Sequence, residues 1–347
     1  MTKNPSVLFR CDGSPEIGLG HVVRCLALAG ELRNAQGCKV SFAMRQGTLG
    51  VKMAQAEGYR VFEPADEIKS SNQVLWLKNV VKETCCQVLI LDVRDDLPSD
   101  AVSSLRCQGI LIVTIDDPSQ RRLHADLAFY PPVPQIRKMS WSGFSGRLYD
   151  GWEWVILRRQ FEQPTPRVSL GRRQLLVTMG GSDPFKLTLR AVEALDLLKL
   201  EFDTSVVLGP GFLHNEELQS LLVRVHRQFD IYRNVSCISH LMARADMAVA
   251  SFGVTAYELA ATGVPAIFMS ISEDHEESLK SFVDAGIALS IGIFNKVTPG
   301  ILAQSVKDVL TNPLLRSKMS LQAKRLVDGS GAARIAQRII EVVKGYG

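Results

Sequence analysis

The sequence predicts an α/β protein with two doubly wound, Rossmann-like domains, each built on a parallel sheet. Two observations lead to this prediction. Apolar runs typical of buried strands alternate with amphipathic helical segments, first over residues 7–115 and again over 174–291. The chain has 347 residues, more than a single hydrophobic core usually serves, so two domains are expected.

The first series opens with a strand at Val7–Phe9 and a helix that starts near Leu19. The strands predicted next are Lys39–Met44, Tyr59–Phe62, Gln87–Asp92 and Ile110–Ile115, and the helices are Leu49–Glu57, Gln73–Glu83 and Pro98–Arg106. Strands this apolar indicate a sheet covered on both faces. Because ligands bind beyond the carboxyl ends of such strands, we expect a site in the loops that follow them.

The alternation breaks between the two series. Tyr130–Pro134 and Ser140–Gly143 predict an excursion over the surface, and the prolines and arginines of 162–173 predict a linker. The predicted domains are therefore 1–165 and 166–330, with a C-terminal helix at 331–347 that packs back on them.

The second series starts with a strand at Gln174–Met179 that runs into a glycine-rich turn. The strands predicted after it are Thr204–Leu208, Ile231–Ile238, Met247–Ser251, Ala266–Ser270 and Ile287–Ile291. The helices predicted in this series are about Phe185–Lys199, Asn215–Gln228, Ser239–Ala245, Pro299–Leu310, Pro313–Leu326 and Ala332–Lys344, and one more helix opens at Asp274. The final helix is amphipathic, so we expect it to dock on the chain's own domains.

Composition excludes several classes of protein. The net charge of +4, from 40 basic and 36 acidic residues, is too small to indicate nucleic-acid binding. No apolar run approaches the ~18 residues of a membrane span, and the start leads directly into a strand, so we expect a cytoplasmic protein. Seven cysteines without metal-ligand spacing predict reduced thiols and no zinc. The oligomeric state stays open, with a monomer favoured.

A glycine-rich loop between the first strand and the first helix is the leading candidate site. It contains Gly18 and Gly20, and His21 lies in the first turn of the helix. Glycines let a backbone approach a ligand closely, and the free N–H groups of a helix start favour an anion such as phosphate. The helix dipole disfavours a charged imidazole, so His21 should accept a proton, unless it is simply a structural or exposed histidine. Arg24 faces the same site or is an ordinary surface arginine.

Acidic residues follow two more strands at the same predicted edge. Asp92 ends one strand and precedes Val93-Arg94-Asp95-Asp96, while Asp116 and Asp117 follow the next strand. A solvated turn or a helix cap explains each acidic pair equally well.

Two segments of the second series carry comparable signals. The turn Gly180-Gly181-Ser182-Asp183 joins a strand to a helix, which suits a phosphate, although the Lys-Ser/Thr pair of a Walker loop is missing. Glu258 lies in the first turns of a helix at the sheet edge, where a carboxylate is suited to accept hydrogen bonds from two ribose hydroxyls. Its alternative role is that of a surface glutamate that stabilises the helix dipole.

Several separated motifs occur in one order, and together they resemble a known family. They are Phe9-Arg10-Cys11-Asp12, Ile17-Gly18-Leu19-Gly20-His21-Val22-Val23-Arg24, Ile115-Asp116-Asp117, Val155–Phe161, Met179–Pro184 and Tyr257–Pro265. This pattern is similar to the bacterial UDP-sugar hydrolases of the pseudaminic acid pathway, which belong with the spore-coat polysaccharide proteins. The resemblance implies the glycosyltransferase-B fold, with the two domains facing each other across a cleft.

The resemblance also implies an activity and the residues that perform it. A UDP-linked diacetamido-trideoxy sugar is hydrolysed at its anomeric C–O bond without a cofactor or metal, and the sugar serves flagellin or surface-glycan modification. His21 is the general base that activates water. The implied substrate-binding residues are Arg10, Asp12, Gly18, Gly20, Arg24, Asp92, Arg94, Gly180, Gly181, Ser182, Asp183, Ile238, Gly253, Thr255, Glu258, Asp274 and His275. The glycine loops hold the diphosphate, Glu258 holds the ribose, and the backbone near Ile238 reads the uracil.

Two departures from the family pattern leave the reaction open. Val93-Arg94 stand where the family has His-Tyr, and Asp274-His275 stand where it has Asn-Gln. Both positions are expected near the sugar, so a different sugar or acceptor fits the same nucleotide site. The alternatives are a UDP-sugar-dependent glycosyltransferase and a UDP-sugar-binding protein without catalysis.

Overall fold

The computed structural model describes residues 4–14, 18–65, 70–95, 97–163, 171–233 and 235–345. By its packing the chain divides into two compact units. The first unit comprises residues 1–132, 136–158 and 330–347, and the second comprises 133–135 and 159–329. The centre of the predicted linker and residues 15–17 of the first glycine loop lie outside the described residues.

The first unit is a seven-stranded parallel sheet with the strand order β3-β2-β1-β4-β5-β6-β7. The strands are β1 (Ser6–Cys11), β2 (Lys39–Ala43), β3 (Arg60–Phe62), β4 (Val88–Asp92), β5 (Leu111–Ile115), β6 (Leu127–Tyr130) and β7 (Arg147–Asp150). The helices between them are α1 (Gly20–Asn34), α2 (Leu49–Ala56), α3 (Ser70–Glu83) and α4 (Ser99–Cys107). The alternation of strands and helices predicted from hydrophobic patterning is confirmed for this part of the chain.

Both faces of this sheet are buried, as its apolar strands require. Phe9 lies on one face, where it stacks on Phe42 at 5.0 Å and packs in a cluster with residues of α1 and of the C-terminal helix. Leu8 points to the opposite face and packs with residues of α3 and α4. Successive residues of a strand point to opposite faces, so an unbroken apolar run contributes side chains to the hydrophobic clusters on both faces of the sheet.

The sequence prediction missed strands β6 and β7, which extend the sheet on either side of the predicted excursion. Phe129 of β6 stacks on Tyr149 of β7 at 4.9 Å, and this contact holds the last strand in place. Arg122 secures the connection by donating hydrogen bonds to the carbonyl oxygens of Ser119 and Ser140. Four-residue strands stabilised by such long-range contacts leave too short a pattern to be recognised in sequence.

The second unit is a six-stranded parallel sheet with the order β10-β9-β8-β11-β12-β13. Its strands are β8 (Gln174–Thr178), β9 (Asp203–Leu208), β10 (Asp230–Arg233), β11 (Met247–Ser251), β12 (Ala266–Ser270) and β13 (Ala288–Ile293). Its helices are α5 (Leu187–Asp196), α6 (Asn215–Leu222), α7 (Ile238–Arg244), α8 (Val254–Thr262), α9 (Glu273–Asp284), α10 (Pro299–Leu310) and α11 (Pro313–Leu326). The predicted fold class, two parallel-sheet α/β domains, is therefore confirmed.

Helix α6 ends at Leu222, six residues before the predicted end at Gln228. The helix ends there because the residues that follow form hydrogen bonds outside the helix. The backbone N–H groups of His226 and Arg227 donate to the Asp196 carboxylate at 2.8 Å. The Arg227 guanidinium also donates to four carbonyl oxygens around the end of α5, so the chain turns away from the helical path.

The C-terminal helix α12 (Gly331–Gly345) belongs to the first unit. Its buried stripe includes Ile335 and Ile339, which pack in the same cluster as α1. Within the described ranges, no helix is both long enough and apolar enough to cross a membrane.

Candidate functional site

In the first unit, a histidine and an aspartate form a close pair at the carboxyl edge of the sheet. His21 lies in the first turn of α1, and its Nδ1 is 2.6 Å from Oδ1 of Asp92, the last residue of β4. The two strands β1 and β4 are neighbours, so the helix that follows β1 begins beside the end of β4. The His21 side chain keeps about a fifth of its surface exposed, whereas Asp92 is buried.

This distance assigns the tautomer of the neutral imidazole. A carboxylate oxygen accepts hydrogen bonds and cannot donate one, so we assign the proton to the Nδ1 that faces Asp92. A terminal nitrogen of Arg24 also lies 3.2 Å from Nδ1, but the 2.6 Å contact with Asp92 is the shorter one. The Nε2 of His21 then carries the lone pair. The predicted proton acceptor is therefore Nε2, on the side of the ring opposite to Asp92.

Arg24 holds the Asp92 carboxylate in place. It lies one turn after His21 on α1, and its Nε and one terminal nitrogen each donate to an Asp92 oxygen at 2.6 Å. The Cys25 thiol is a further donor to Asp92, at 3.4 Å. Burial by itself would raise the pKa of Asp92, but the charge and hydrogen bonds of Arg24, together with His21, hold that pKa well below the ordinary carboxyl range.

The same guanidinium reaches a second carboxylate. Arg24 is 3.3 Å from Oδ2 of Asp116, and Arg94 contacts that same oxygen at 3.0 Å. Asp116 follows β5 with a φ of 51°, a left-handed conformation that non-glycine residues seldom adopt. Aspartate is among the residues that adopt this conformation more often than others, and here its carboxylate is shared by two guanidinium groups.

The structure therefore brings four predicted residues together. For two of them, Asp92 and Arg24, it indicates a positioning role where a contact with substrate was expected. His21, Arg24, Asp92 and Arg94 lie in one connected group, with Asp116 as the link to Arg94. Both oxygens of Asp92 are occupied by protein donors, so its geometry suits positioning of His21 instead of a contact with substrate. Arg24 likewise is engaged by carboxylates, and its side chain is only 13% exposed.

Arg10 and Asp12, also predicted to bind substrate, lie below the surface. The Arg10 guanidinium is 1% exposed and pairs with Asp12 at 2.7 Å and with Asp95 at 2.8 Å. Asp95 in turn pairs with the buried Arg121 at 2.7 Å. Asp12 also accepts a hydrogen bond from the backbone N–H of Arg45. This buried network ties together the loops around the His21 group. The sequence placed Asp95 at this sheet edge but did not indicate Arg121.

Two glycines of the first loop lie at the start of α1. Gly18 has a φ of 81°, and Gly20 is the first residue of α1. Among the described residues, no side chain caps this helix start, whose N-cap residue is Leu19. The N–H groups of a first helical turn have no partner within the helix and suit an anion, which is the ligand that the sequence predicts here.

In the second unit, the glycine-rich turn lies at the carboxyl end of β8. Gly180 has a φ of 76°, and Asp183 has a φ of 47°. The Asp183 carboxylate accepts hydrogen bonds at 2.8 Å from the backbone N–H groups of Leu187 and Thr188 and so caps α5. Its expected role therefore shifts from ligand contact to shaping the turn. Gly180, Gly181 and Ser182 remain the part of the turn suited to a ligand.

Helix α8 begins at the carboxyl end of the neighbouring strand β11. Gly253 precedes its first residue, Thr255 is half-buried in its first turn, and Glu258 is 4% exposed. A surface glutamate, the alternative raised above, is excluded by this burial. Burying a carboxylate costs free energy unless donors surround it, so Glu258 is held in a polar environment inside the unit.

Three remaining predicted residues occupy other helix starts of the same unit. Ile238 is the first residue of α7 and is buried. Asp274 and His275 lie in the first turn of α9, where Asp274 accepts a hydrogen bond from Gln135 at 3.0 Å. The His275 ring packs against Phe252 with ring centres 5.9 Å apart. No group of three His, Cys, Asp or Glu side chains arranged for a metal occurs among the described residues.

Comparison with known proteins finds a matching domain and a shared fold. Residues 175–339 match the Glycosyltransferase family 28 C-terminal domain, a range that begins in β8 and ends in α12. The MurG of Acinetobacter baumannii superposes on the chain with a TM-score of 0.70 at 17% identity, covering 97% of this chain and 99% of that structure. This likeness shows the predicted glycosyltransferase-B fold.

Relatives are also found by sequence. The spore coat polysaccharide biosynthesis protein SpsG of Bacillus subtilis is 25% identical over 330 residues, 93% of this chain and 94% of that protein. A UDP-2,4-diacetamido-2,4,6-trideoxy-beta-L-altropyranose hydrolase of Campylobacter jejuni is 26% identical over 250 residues, which are 71% of this chain and 84% of that protein. An uncharacterized protein of Methanocaldococcus jannaschii is 28% identical over 284 residues, which are 78% of this chain but only 57% of that protein.

Proposed function

We propose that this protein is an enzyme of glycan biosynthesis that hydrolyses a UDP-sugar at its anomeric carbon. The observation that carries the proposal is the 2.6 Å pair of His21 and Asp92, which leaves a basic nitrogen on a partly exposed imidazole. The similarity to a hydrolase of a UDP-linked diacetamido sugar and to a spore coat polysaccharide protein supports the choice of substrate.

In the proposed reaction, Nε2 of His21 removes a proton from water while the water oxygen forms a bond to the anomeric carbon. The bond between that carbon and the UDP oxygen breaks, and its electron pair leaves with UDP. The configuration at the carbon inverts, and the proton on His21 passes to solvent. A correctly placed base contributes about 10²–10⁴-fold to the rate of such a step.

The protein's other contribution is to the leaving group. UDP gains negative charge as the bond breaks, and the N–H groups of Gly181 and Ser182 are suited to meet that charge. In this proposal Asp92 and Arg24 position His21, while Arg10 and Asp12 support the loops.

Glu258 is proposed to bind the ribose, and replacing it by glutamine tests this role. An amide loses the charge of the acceptor but keeps its size, so we expect the Kd for UDP to rise about tenfold or more. The matched control is Glu217→Gln, since Glu217 is half exposed in the same unit and pairs with Lys186. Isothermal titration calorimetry with UDP decides the matter, and an unchanged Kd would remove Glu258 from the nucleotide site.

A second candidate function is transfer of the sugar to an acceptor other than water. The observation that favours it is the match of residues 175–339 to a glycosyltransferase domain. Val93-Arg94 stand where the hydrolase pattern has His-Tyr. Arg94 pairs with Asp116, and its side chain is 42% exposed, so it is available to contact an acceptor other than water.

Turnover in ¹⁸O-labelled water separates these functions. Purified protein is incubated with a UDP-linked diacetamido sugar, and the products are analysed by mass spectrometry. Hydrolysis at the anomeric carbon is expected to place the label in the free sugar and none in UDP. Label in UDP would contradict the proposed bond cleavage. Release of UDP only when an acceptor is added supports the transferase, and binding without any release supports a non-catalytic protein.

A further inference from the structure

Two glycine-containing loops of the second unit lie in direct backbone contact. One is the turn Gly180–Ser182 after β8, and the other is Gly209-Pro210-Gly211 after β9, the neighbouring strand. The N–H of Gly211 donates to the carbonyl oxygen of Gly181 at 2.8 Å.

The contact leaves no room for a side chain at Gly209. A Cβ there would lie 2.5 Å from the carbonyl oxygen of Gly180 and 2.6 Å from the carbonyl carbon of Gly181, and it would also meet the Gly181 oxygen. Real Cβ atoms do not approach backbone atoms so closely. At Gly211 the fit is less severe, since a Cβ would lie 3.1 Å from both the Gly181 oxygen and the Ser182 Cβ.

This contact determines where the N–H groups of the turn point. In a trans peptide the carbonyl oxygen and the following N–H lie on opposite sides. The carbonyl oxygens of Gly180 and Gly181 face Gly209, so the N–H groups of Gly181 and Ser182 point away from it. Within the described parts of the chain, no hydrogen bond to protein takes up either N–H. Two successive N–H groups on one side form a concavity that suits an anion.

We propose that Gly209 and Gly211 are positioning residues for the diphosphate of the nucleotide, an inference that rests on the proposed function. They do not touch the ligand. Gly209 allows the second loop to lie flat against the Gly180–Ser182 turn, and the Gly211 N–H fixes the Gly181 carbonyl. The two loops together aim the N–H groups of Gly181 and Ser182 at the phosphates.

The test compares the affinities of full-length variants for UDP and for uridine, which lacks the diphosphate. Gly209→Ala is expected to raise the Kd for UDP about tenfold, because displaced N–H groups bond the phosphates poorly. The Kd for uridine is expected to stay the same. Gly211→Ala, with its milder contacts, is expected to raise the Kd for UDP about threefold, with uridine again unaffected.

Two controls separate this effect from a general loss of stability. Gly300→Ala changes an exposed glycine in the first turn of α10, and Val306→Ala truncates a buried side chain of the same helix. Neither is expected to change either Kd, although Val306→Ala lowers the free energy of unfolding.

The outcomes are distinct from those of the proposed function. If wild-type protein binds UDP and both glycine variants bind it equally well, the inference is overturned. Equal losses for UDP and uridine also overturn it, because the effect is then not directed at the phosphates. If Gly209→Ala does not fold, Gly211→Ala decides by the same comparison. Wild-type protein that binds no UDP contradicts the proposed function and removes the basis of the inference.

Discussion

Replacing His21 by glutamine is expected to lower kcat by about 10²–10⁴-fold while the Kd for UDP stays nearly unchanged. The glutamine side chain fills a similar volume but has no basic nitrogen, so water at the anomeric carbon is no longer deprotonated. The nucleotide contacts proposed for the second unit are untouched. UDP release is measured with a coupled assay, and UDP affinity is measured separately by calorimetry.

The chain offers a matched control for this variant. His226 is also a histidine whose Nδ1 lies near an aspartate, at 3.4 Å from Asp196, but its ring is almost fully exposed. His226→Gln is expected to leave kcat unchanged. If His21→Gln retains activity within a few-fold of the wild type, His21 is not the general base and the proposed mechanism is wrong.

The fold followed from the sequence because its signals are local. An apolar run such as β4, or the amphipathic stripe of α12, is visible within a dozen residues. The glycine loop before α1 was equally visible. Strands β6 and β7 were missed since they are short and depend on contacts such as that of Phe129 with Tyr149.

The candidate site was predictable in its members but not in their roles. The sequence placed His21, Asp92 and Asp116 near one sheet edge, because strands β1, β4 and β5 were expected to be parallel. Which atoms meet depends on side-chain directions that no local pattern encodes. The pairing of Asp92 with His21 and Arg24, which makes it a positioning residue, therefore emerged only from the three-dimensional arrangement.

In the glycine loops of the second unit, too, the contacts between loops could not be predicted from local sequence. Gly180 and Gly181 stand out by their position between strand and helix. Gly209 looks like an ordinary turn residue until the neighbouring loop is brought against it. When a glycine is required by a contact with a distant segment, the residues next to it in sequence do not indicate that requirement.

The role of Asp92 leads to the second large effect, that of Asp92→Asn. An asparagine amide can donate to Nδ1, which favours the tautomer with the proton on Nε2 and so removes the acceptor for the proton of water. We expect kcat to fall about 10²-fold or more, with the Kd for UDP unchanged. Asp116→Asn provides the comparison, since Asp116 also pairs with Arg24 but does not contact His21, and its effect on kcat should be much smaller.

The stability of the same variant checks the buried ion pair independently. Removing one charge of a buried pair costs about 3–5 kcal/mol, because the partner guanidinium of Arg24 loses its main counter-charge. The pKa of Asp92 is lowered in the folded protein, so its stabilising contribution is fully present above the ordinary carboxyl pKa of about 3.9 and declines as the pH falls below that value. The difference in free energy of unfolding between wild type and Asp92→Asn, measured in urea, should therefore be largest near pH 7 and shrink towards pH 3. A difference that does not depend on pH would show that the Asp92 charge does not stabilise the fold through Arg24, and the positioning role of the pair would lose its support.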